Sequence, residues 1–278
     1  MHFIDNCLSE FRKSLKYPIP GFLRIDELGR IAAWPLVLVL SKLNIRAELV
    51  VVASFLSNLV ASLDLPRGVS FLGAYGVAFF IFLRIIFDCA DGMLARYTNT
   101  VTASGASLDL ISDFFNQTLL FFAISRYLIL HTGYQPLLIL ILTTISLSAH
   151  LLSATIVSFI SFQKYSDMEN FNDIKNVFLR GPINTNKRDA AYKILSFIYF
   201  YTWKPFTSIA LAIFRSNTKL KISGIEEHIY ASAGIGTSLL FLILTLLSGI
   251  SMIWFLLWHI LVLALIATML SLKNVCKD

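Results

Sequence analysis

The sequence predicts an all-α integral membrane protein with six transmembrane helices, an N-terminal interfacial helix and a second interfacial segment before the fifth transmembrane helix. Of its 278 residues, 56% are hydrophobic and 14% are charged, and the mean hydropathy is +0.72. This composition lies outside the range of soluble globular domains. A transmembrane helix needs about 20 mainly apolar residues. Six stretches meet this requirement, and Lys and Arg cluster on one predicted side of them.

The six predicted spans follow from the apolar runs in the chain. Four of them lie close together, and the last two follow a long polar interval. Their approximate bounds are 46–64, 71–94, 104–130, 136–162, 228–250 and 251–272.

Two other apolar stretches are unsuited to crossing the membrane. Residues 24–43 contain only a short apolar run, with Pro35 near its start, and we expect an interfacial helix there. If residues 193–215 crossed, Lys204 would lie in mid-bilayer at a cost of about 2.5 to 3.5 kcal/mol. We expect instead a helix along the membrane surface, broken at Pro205 and anchored by Trp203. A seventh span is the alternative.

These elements divide the chain into four segments. The first is a cytoplasmic and interfacial N-terminal segment, and the second contains the first four transmembrane helices with an acidic motif at 88–113. The third is a cytoplasmic loop with the interfacial helix, and the fourth contains the last two transmembrane helices and the C-terminal tail. Their bounds are 1–45, 46–162, 163–227 and 228–278.

The positive charges predict the orientation of the chain. Nearly all of its 23 Lys and Arg residues fall on flanks and loops that share a side with the N-terminus. Because Lys and Arg favour cytoplasmic flanks, both termini and the acidic motif should face the cytoplasm, in a membrane such as a bacterial inner membrane. The net charge of +6 then matches an anionic lipid surface, and no nucleic acid is expected as a partner.

The acidic motif, DCADGMLARYTNTVTASGASLDLISD, places four aspartates at the ends of two predicted membrane helices. Asp88 and Asp91 are three residues apart, and Asp109 and Asp113 are four apart, so each pair projects from one side of its helix. The short connection between the second and third spans predicts antiparallel neighbours. All four carboxylates should therefore meet just inside the cytoplasmic side of the membrane.

Four carboxylates in a poorly solvated place repel one another and need a cation. Carboxylate oxygens are preferred ligands of Mg²⁺, and four of them can bind two ions about 3.5 to 4 Å apart. A pair of Mg²⁺ or Mn²⁺ ions would bind a diphosphate, with Arg96 as a further positive charge. Gly92 and Gly105 leave space beside the aspartates, and Ala95 has only a small side chain.

Three other interpretations of the aspartates stay open. They could pair with Arg84 and Arg96 and only fix the packing of the helices. They could line the path of an ion-coupled transporter, although no chain of ionisable groups continues across the membrane. A membrane prenyltransferase also binds Mg²⁺ and diphosphate, but a second acidic motif would be expected. Arg84 itself could pair with Asp88 or contact a phosphate of the acceptor.

The spacing of the motif resembles the complete signature of the CDP-alcohol phosphotransferases, integral membrane enzymes that make phospholipids. The matching pattern is Asp88-x2-Asp91-Gly92-x2-Ala95-Arg96-x8-Gly105-x3-Asp109-x3-Asp113. The resemblance implies a six-helix enzyme, usually a homodimer. It transfers a substituted phosphate from a CDP-linked lipid donor, typically CDP-diacylglycerol, to an alcohol and releases CMP.

The resemblance also implies a role for each residue of the motif. The implied metal ligands, for two Mg²⁺ or Mn²⁺ ions, are Asp88, Asp91, Asp109 and Asp113. Asp113 would also be the catalytic base. The implied cytidine diphosphate pocket is shaped by Gly92, Ala95, Arg96 and Gly105. The signature does not cover the pocket of the alcohol.

One element departs from the pattern of the family. The family often has a Pro-Asn pair and a nearby Thr that lead into the first span. Here Leu43 precedes Asn44, and Glu48 follows. The contacts that this element makes in the family therefore cannot be carried over to this chain.

Overall fold

The computed structural model describes residues 9–15, 25–68, 73–165, 194, 197–198, 200–213 and 234–275. Within these residues all regular structure is helical, which confirms the predicted all-α class. The principal helices are α1 (Ile25–Lys42), α2 (Ala47–Asp64), α3 (Gly73–Tyr97), α4 (Ala103–His131), α5 (Pro136–Tyr165), α6 (Lys204–Ile213), α7 (Ile235–Ser248) and α8 (Ile253–Val275). Residues 9–14 are also helical.

Within the described residues, three helical segments are long and apolar enough to cross a membrane. These segments, judged by length and composition, are Ala47–Arg67, Pro136–Ser161 and Ile253–Ser271. Helix α7 is apolar but shorter. Each of the six predicted spans coincides with one of the helices α2 to α5, α7 and α8. The membrane character of the chain is thus supported, and the count of six spans stays a prediction.

Two predicted elements lie partly outside the described residues. The fifth predicted span begins at residue 228, whereas the described part of this region begins at 234. The predicted cytoplasmic loop between the fourth span and the second interfacial segment lies outside the described residues beyond Tyr165.

Both segments that we expected at the membrane surface contain helices. Helix α1 includes Pro35 in its interior. Helix α6 has 10 residues, so it is about 15 Å long, half the thickness of the hydrocarbon core. The break expected at Pro205 falls at Trp203, because proline is well tolerated in the first turn of a helix. The placement of α1 and α6 at the surface of the membrane stays a prediction.

Helix α2 organises the part of the bundle that contains the acidic motif. It packs closely against both α3 and α4, which approach each other less closely than either approaches α2. The main hydrophobic core joins these helices to α7 through fully buried Ala61, Ile81, Phe121 and Leu242. Helix α1 packs on α3, and α5 packs on α8. The aspartates thus lie in the wider space between α3 and α4.

The bundle exposes apolar side chains and buries polar ones, as helices in lipid do. On α5, large apolar side chains such as Leu137, Ile141 and Ile145 are exposed, whereas Ser146 and His150 are buried. Small and polar side chains between helices, with apolar ones outside, are typical of membrane bundles. The burial pattern therefore agrees with the apolar composition.

Candidate active site

Three of the four aspartates come together between α3 and α4. One carboxylate oxygen of each of Asp88, Asp109 and Asp113 lies within 4.8 Å of those of the other two, and all three residues are half-buried. Asp109 and Asp113 are one turn apart on α4, so their side chains leave nearly the same face of the helix. The predicted meeting of acids from two helices is present for these three residues.

Asp91 lies beside this group but is not a member of it. Its side chain is 5% exposed, and it accepts a hydrogen bond from the main-chain N–H of Gly92. The charges of Asp109, Asp88 and Arg96 all act on it. Asp91 is therefore close enough to contribute to the electrostatics of the site.

The three carboxylates suit a divalent metal ion. Opposite ligands of Mg²⁺ are about 4.2 Å apart, since each ligand oxygen lies about 2.1 Å from the ion. The three oxygens lie within 4.8 Å of one another, so one ion can reach all three after small side-chain adjustments. In addition, Oδ1 of Asp113 is buried and has no hydrogen-bond partner in the described part of the chain. A buried acceptor of this kind needs a partner, and a metal ion would supply one.

A capped helix end places the aspartates of α4. Thr102 precedes α4, and its Oγ1 accepts a hydrogen bond from the N–H of Gly105 at 3.0 Å. A Cβ at position 105 would lie only 2.9 Å from this oxygen and 3.7 Å from Oε1 of Glu48. Gly105 thus fits a crowded helix start. Glu48, where this chain differs from the family pattern, lies near the N-terminus of α4. Negative charge is favourable at that end of a helix.

The other end of the motif is fixed by residues near the N-terminus. Nε of Arg96 donates a hydrogen bond to the main-chain oxygen of Ser14 at 2.6 Å. Phe11, one turn before Ser14, packs edge-on against Trp34 of α1 with ring centroids 5.5 Å apart. A Cβ at Gly92 would lie 3.2 Å from both terminal nitrogens of Arg96. Residues 9–15 therefore hold the Arg96 guanidinium close to the helix surface at Gly92.

Ala95 contributes through its main chain. Its carbonyl oxygen accepts a hydrogen bond from the N–H of Thr100 at 2.8 Å. Within the turn from Ala95 to Thr100, Asn99 adopts the left-handed conformation, with φ of 55°. Asn tolerates this conformation better than most residues. This tight turn ends α3 and leads into α4.

Arg84 lies one turn deeper than Asp88 and is fully buried. Its Nη1 donates a hydrogen bond to Oδ1 of Asn58 on α2 at 3.2 Å. Its charge acts on Asp113 and Asp88, while its Nε and Nη2 have no hydrogen-bond partner among the described residues. Arg84 thus supplies positive charge to the acidic group while it is bonded to a neutral amide.

Helix α2 also contributes to the site, which the acidic motif did not predict. Nδ2 of Asn58 donates a hydrogen bond to the main-chain oxygen of Asn116 on α4 at 3.0 Å, so Asn58 joins α2 to both α3 and α4. A signal for this role exists in the sequence. Ser54, Asn58 and Ser62 follow one another at intervals of four residues in a mostly apolar helix and are all buried.

Comparison with known protein families agrees with this geometry. The CDP-alcohol phosphatidyltransferase family model matches residues 39–214, which is more than half of the chain and includes every residue of the acidic motif. Comparisons with curated proteins and with solved structures gave no match. The match and the group of three aspartates lead to one conclusion: the chain belongs to the CDP-alcohol phosphatidyltransferase family.

Proposed function

We propose that this membrane enzyme transfers a phosphatidyl group from a CDP-linked lipid, such as CDP-diacylglycerol, to an alcohol and releases CMP, as a step of phospholipid biosynthesis. The observation that supports this most directly is the group of carboxylates of Asp88, Asp109 and Asp113 within a region that matches the family. Acidic groups that can bind divalent ions are suited to a diphosphate substrate.

The site residues divide into two sets. Two Mg²⁺ or Mn²⁺ ions would be held by Asp88, Asp91, Asp109 and Asp113, and when bound they would draw negative charge from the donor diphosphate. The cytidine diphosphate pocket is formed by Gly92, Ala95, Arg96 and Gly105. Arg96 supports this assignment because its guanidinium lies beside Gly92 within the motif, and a guanidinium is well suited to bind phosphate.

Asp113 is the proposed catalytic base. Its carboxylate takes the proton from the hydroxyl of the acceptor, and the hydroxyl oxygen forms a bond to the phosphorus that bears the lipid. The bond between this phosphorus and the oxygen that bridges to CMP breaks, and CMP leaves with that oxygen. Oδ1 of Asp113 has no hydrogen-bond partner in the described structure, which leaves it available to a proton. A positioned base contributes typically about 10² to 10⁴-fold to the rate.

The placement in the membrane follows from the nature of the substrates. A donor with two acyl chains stays in the bilayer, so its CDP group and a water-soluble alcohol should meet at the cytoplasmic surface. We propose six spans, with both termini and the site at the cytoplasmic face and with α1 and α6 at the interface. A homodimer is the proposed assembly. The exposed apolar side chains of α5 support contact with lipid on that helix.

Release of CMP by the purified protein tests the proposal. The protein would be incubated with CDP-diacylglycerol, Mg²⁺ and one alcohol at a time: glycerol 3-phosphate, serine or an inositol phosphate. We expect CMP and one lipid product with one of these alcohols, and loss of both when a chelator is added. Asp113→Asn should lower the rate by about 10² to 10⁴-fold, whereas Glu10→Gln, at an exposed acid outside the site, should not.

Two results would contradict the proposal. One is an unchanged rate of CMP release in Asp113→Asn. The other is release of no CMP with any alcohol by protein that is folded and supplied with Mg²⁺.

A further inference from the structure

Trp203 contacts the turn of α4 that contains two of the aspartates. Its indole Nε1 donates a hydrogen bond to the main-chain oxygen of Leu110 at 2.6 Å. Its ring packs edge-on against Phe114, with centroids 6.4 Å apart. Leu110 follows Asp109 in the chain, and Phe114 follows Asp113. One side chain therefore contacts both ends of the acidic turn.

Trp203 is itself firmly placed. Its side chain is 6% exposed and packs with Leu151 and Phe206. Its main-chain oxygen accepts hydrogen bonds from the N–H and Oγ1 of Thr207, at 3.0 and 3.1 Å. Helix α6, which begins at the next residue, packs against α5. The indole thus links α4 to a fixed part of the bundle.

The hydrogen bond from Trp203 to Leu110 constrains the rotation of α4 about its axis. It is not needed to form the helix. A carbonyl oxygen accepts two hydrogen bonds, so Leu110 can keep its normal helical partner. Side-chain tips lie about 5 to 6 Å from a helix axis, so a rotation by about 20° moves a carboxylate by about 2 Å. Distances between a metal and its ligands vary by only about 0.2 Å. A small rotation of α4 would therefore disrupt the group formed with Asp88.

A second donor holds α4 from another side. Asn58 of α2 donates to the main-chain oxygen of Asn116, which lies beyond Asp113 in the chain. Leu110 and Asn116 are six residues apart, so their carbonyl oxygens lie on different faces of the helix. The acidic turn is thus held between two side chains that come from different helical segments.

We infer that Trp203 is a positioning residue of the site: its indole N–H fixes the rotation of α4, so that Asp109 and Asp113 meet Asp88 at a spacing that a divalent ion needs. The inference rests on the proposed function for the identity of the site. It concerns the binding of the ion and makes no claim about the acceptor alcohol.

Binding of Mn²⁺ to the purified full-length protein tests this inference without measuring activity. Free Mn²⁺ would be measured by electron paramagnetic resonance during a titration, and Asp109→Asn would identify the binding that belongs to the site. Trp203→Phe keeps an aromatic ring and removes the N–H. Replacement of Trp203 by 3-benzothienylalanine also removes the N–H but keeps the bicyclic shape. Trp258→Phe is a matched control, because Nε1 of Trp258 is buried without a hydrogen-bond partner in the described structure.

Both replacements of Trp203 should weaken Mn²⁺ binding by about 10 to 100-fold, the usual effect of losing a residue that orients a metal ligand. Trp258→Phe should bind Mn²⁺ as the unmodified protein does. Saturating Mn²⁺ should restore CMP release in the Trp203 variants, since the ligands themselves are intact. If Trp203→Phe does not fold, the 3-benzothienylalanine protein decides the test.

Unchanged Mn²⁺ affinity in a folded Trp203 variant would overturn the inference, as would a lack of Mn²⁺ binding that depends on Asp109 in the unmodified protein. Failure of the proposed function would look different. The unmodified protein would then bind Mn²⁺ through Asp109 but release no CMP, and the comparison of affinities would still decide the role of Trp203.

Discussion

Asp109→Asn should stabilise the protein in the absence of divalent ions. Two unit charges at the upper limit of the oxygen spacing, 4.8 Å, repel by about 3.5 kcal/mol at an effective dielectric constant of 20 and by about 0.9 kcal/mol in water. The repulsion between any two charged carboxylates of Asp88, Asp109 and Asp113, which are half-buried, lies between these limits. Because carboxyl groups this close cannot all ionise in a poorly solvated place, one of the three carries a proton when no metal ion is bound. The substitution then removes one repulsion, so the relief is about 0.9 to 3.5 kcal/mol. At about 2 to 4 °C per kcal/mol, the lower limit raises the unfolding temperature by about 2 to 4 °C.

The stability advantage of Asp109→Asn over the unmodified protein should become smaller when Mg²⁺ is added. A ligand present at 100 times its dissociation constant stabilises a protein by about 2.7 kcal/mol. The variant lacks one ligand of the ion, so it should gain less than the unmodified protein does. Asp109→Asn is therefore expected to be the more stable protein in a chelator, and its advantage should shrink or reverse in excess Mg²⁺.

Thermal unfolding in detergent, followed by size-exclusion chromatography after heating, measures both effects. Glu10→Gln, at an exposed acid outside the group, controls for the loss of one negative charge. Lower stability of Asp109→Asn than of the unmodified protein in chelator would contradict this prediction, as would an equal rise of both unfolding temperatures in Mg²⁺.

Three further predictions concern residues around the acidic group. Arg84→Met removes the hydrogen bond to Oδ1 of Asn58 and leaves this buried oxygen without a partner, so it should lower the free energy of unfolding by about 1 to 3 kcal/mol. An unchanged unfolding temperature would contradict this. Gly92→Ala places a methyl group 3.2 Å from the guanidinium of Arg96, and steady-state kinetics should show a KM for the CDP-linked donor raised by about 10-fold or more, as for a lost charged hydrogen bond. Phe11→Ala should loosen residues 9–15, seen as faster hydrogen exchange there, and should raise the same KM; exchange at the original rate would show that the contact with Trp34 does not hold the segment.

The helices and the convergence of three aspartates could be predicted because they depend on local pattern. Apolar runs and a short connection determine α3 and α4, and helical periodicity determines which side chains share a face. The same periodicity explains why Asp91 lies outside the group of three aspartates. A step of four residues turns a side chain by about 40°, whereas a step of three turns it by about 60° in the other direction. Asp91 therefore diverges more from Asp88 than Asp113 does from Asp109.

Other contacts of the site could not be predicted because their acceptors are main-chain carbonyl groups. Trp203 donates to Leu110, and Arg96 donates to Ser14. Every residue has a carbonyl oxygen, so the identity of the accepting residue contains no information about the contact. Such pairs depend on how distant segments pack, which no short pattern in the sequence specifies.

The fate of the phosphorus atom that bears the lipid tests the central claim most directly. CDP-diacylglycerol would carry radioactive phosphorus in that phosphate only and would be incubated with the protein, Mg²⁺ and the accepted alcohol. The account predicts that all transferred label appears in the new lipid, with an equal amount of unlabelled CMP, and that Asp113→Asn forms both products at least about 10²-fold more slowly. Label in the released nucleotide, or CMP release without a labelled lipid product, would contradict it.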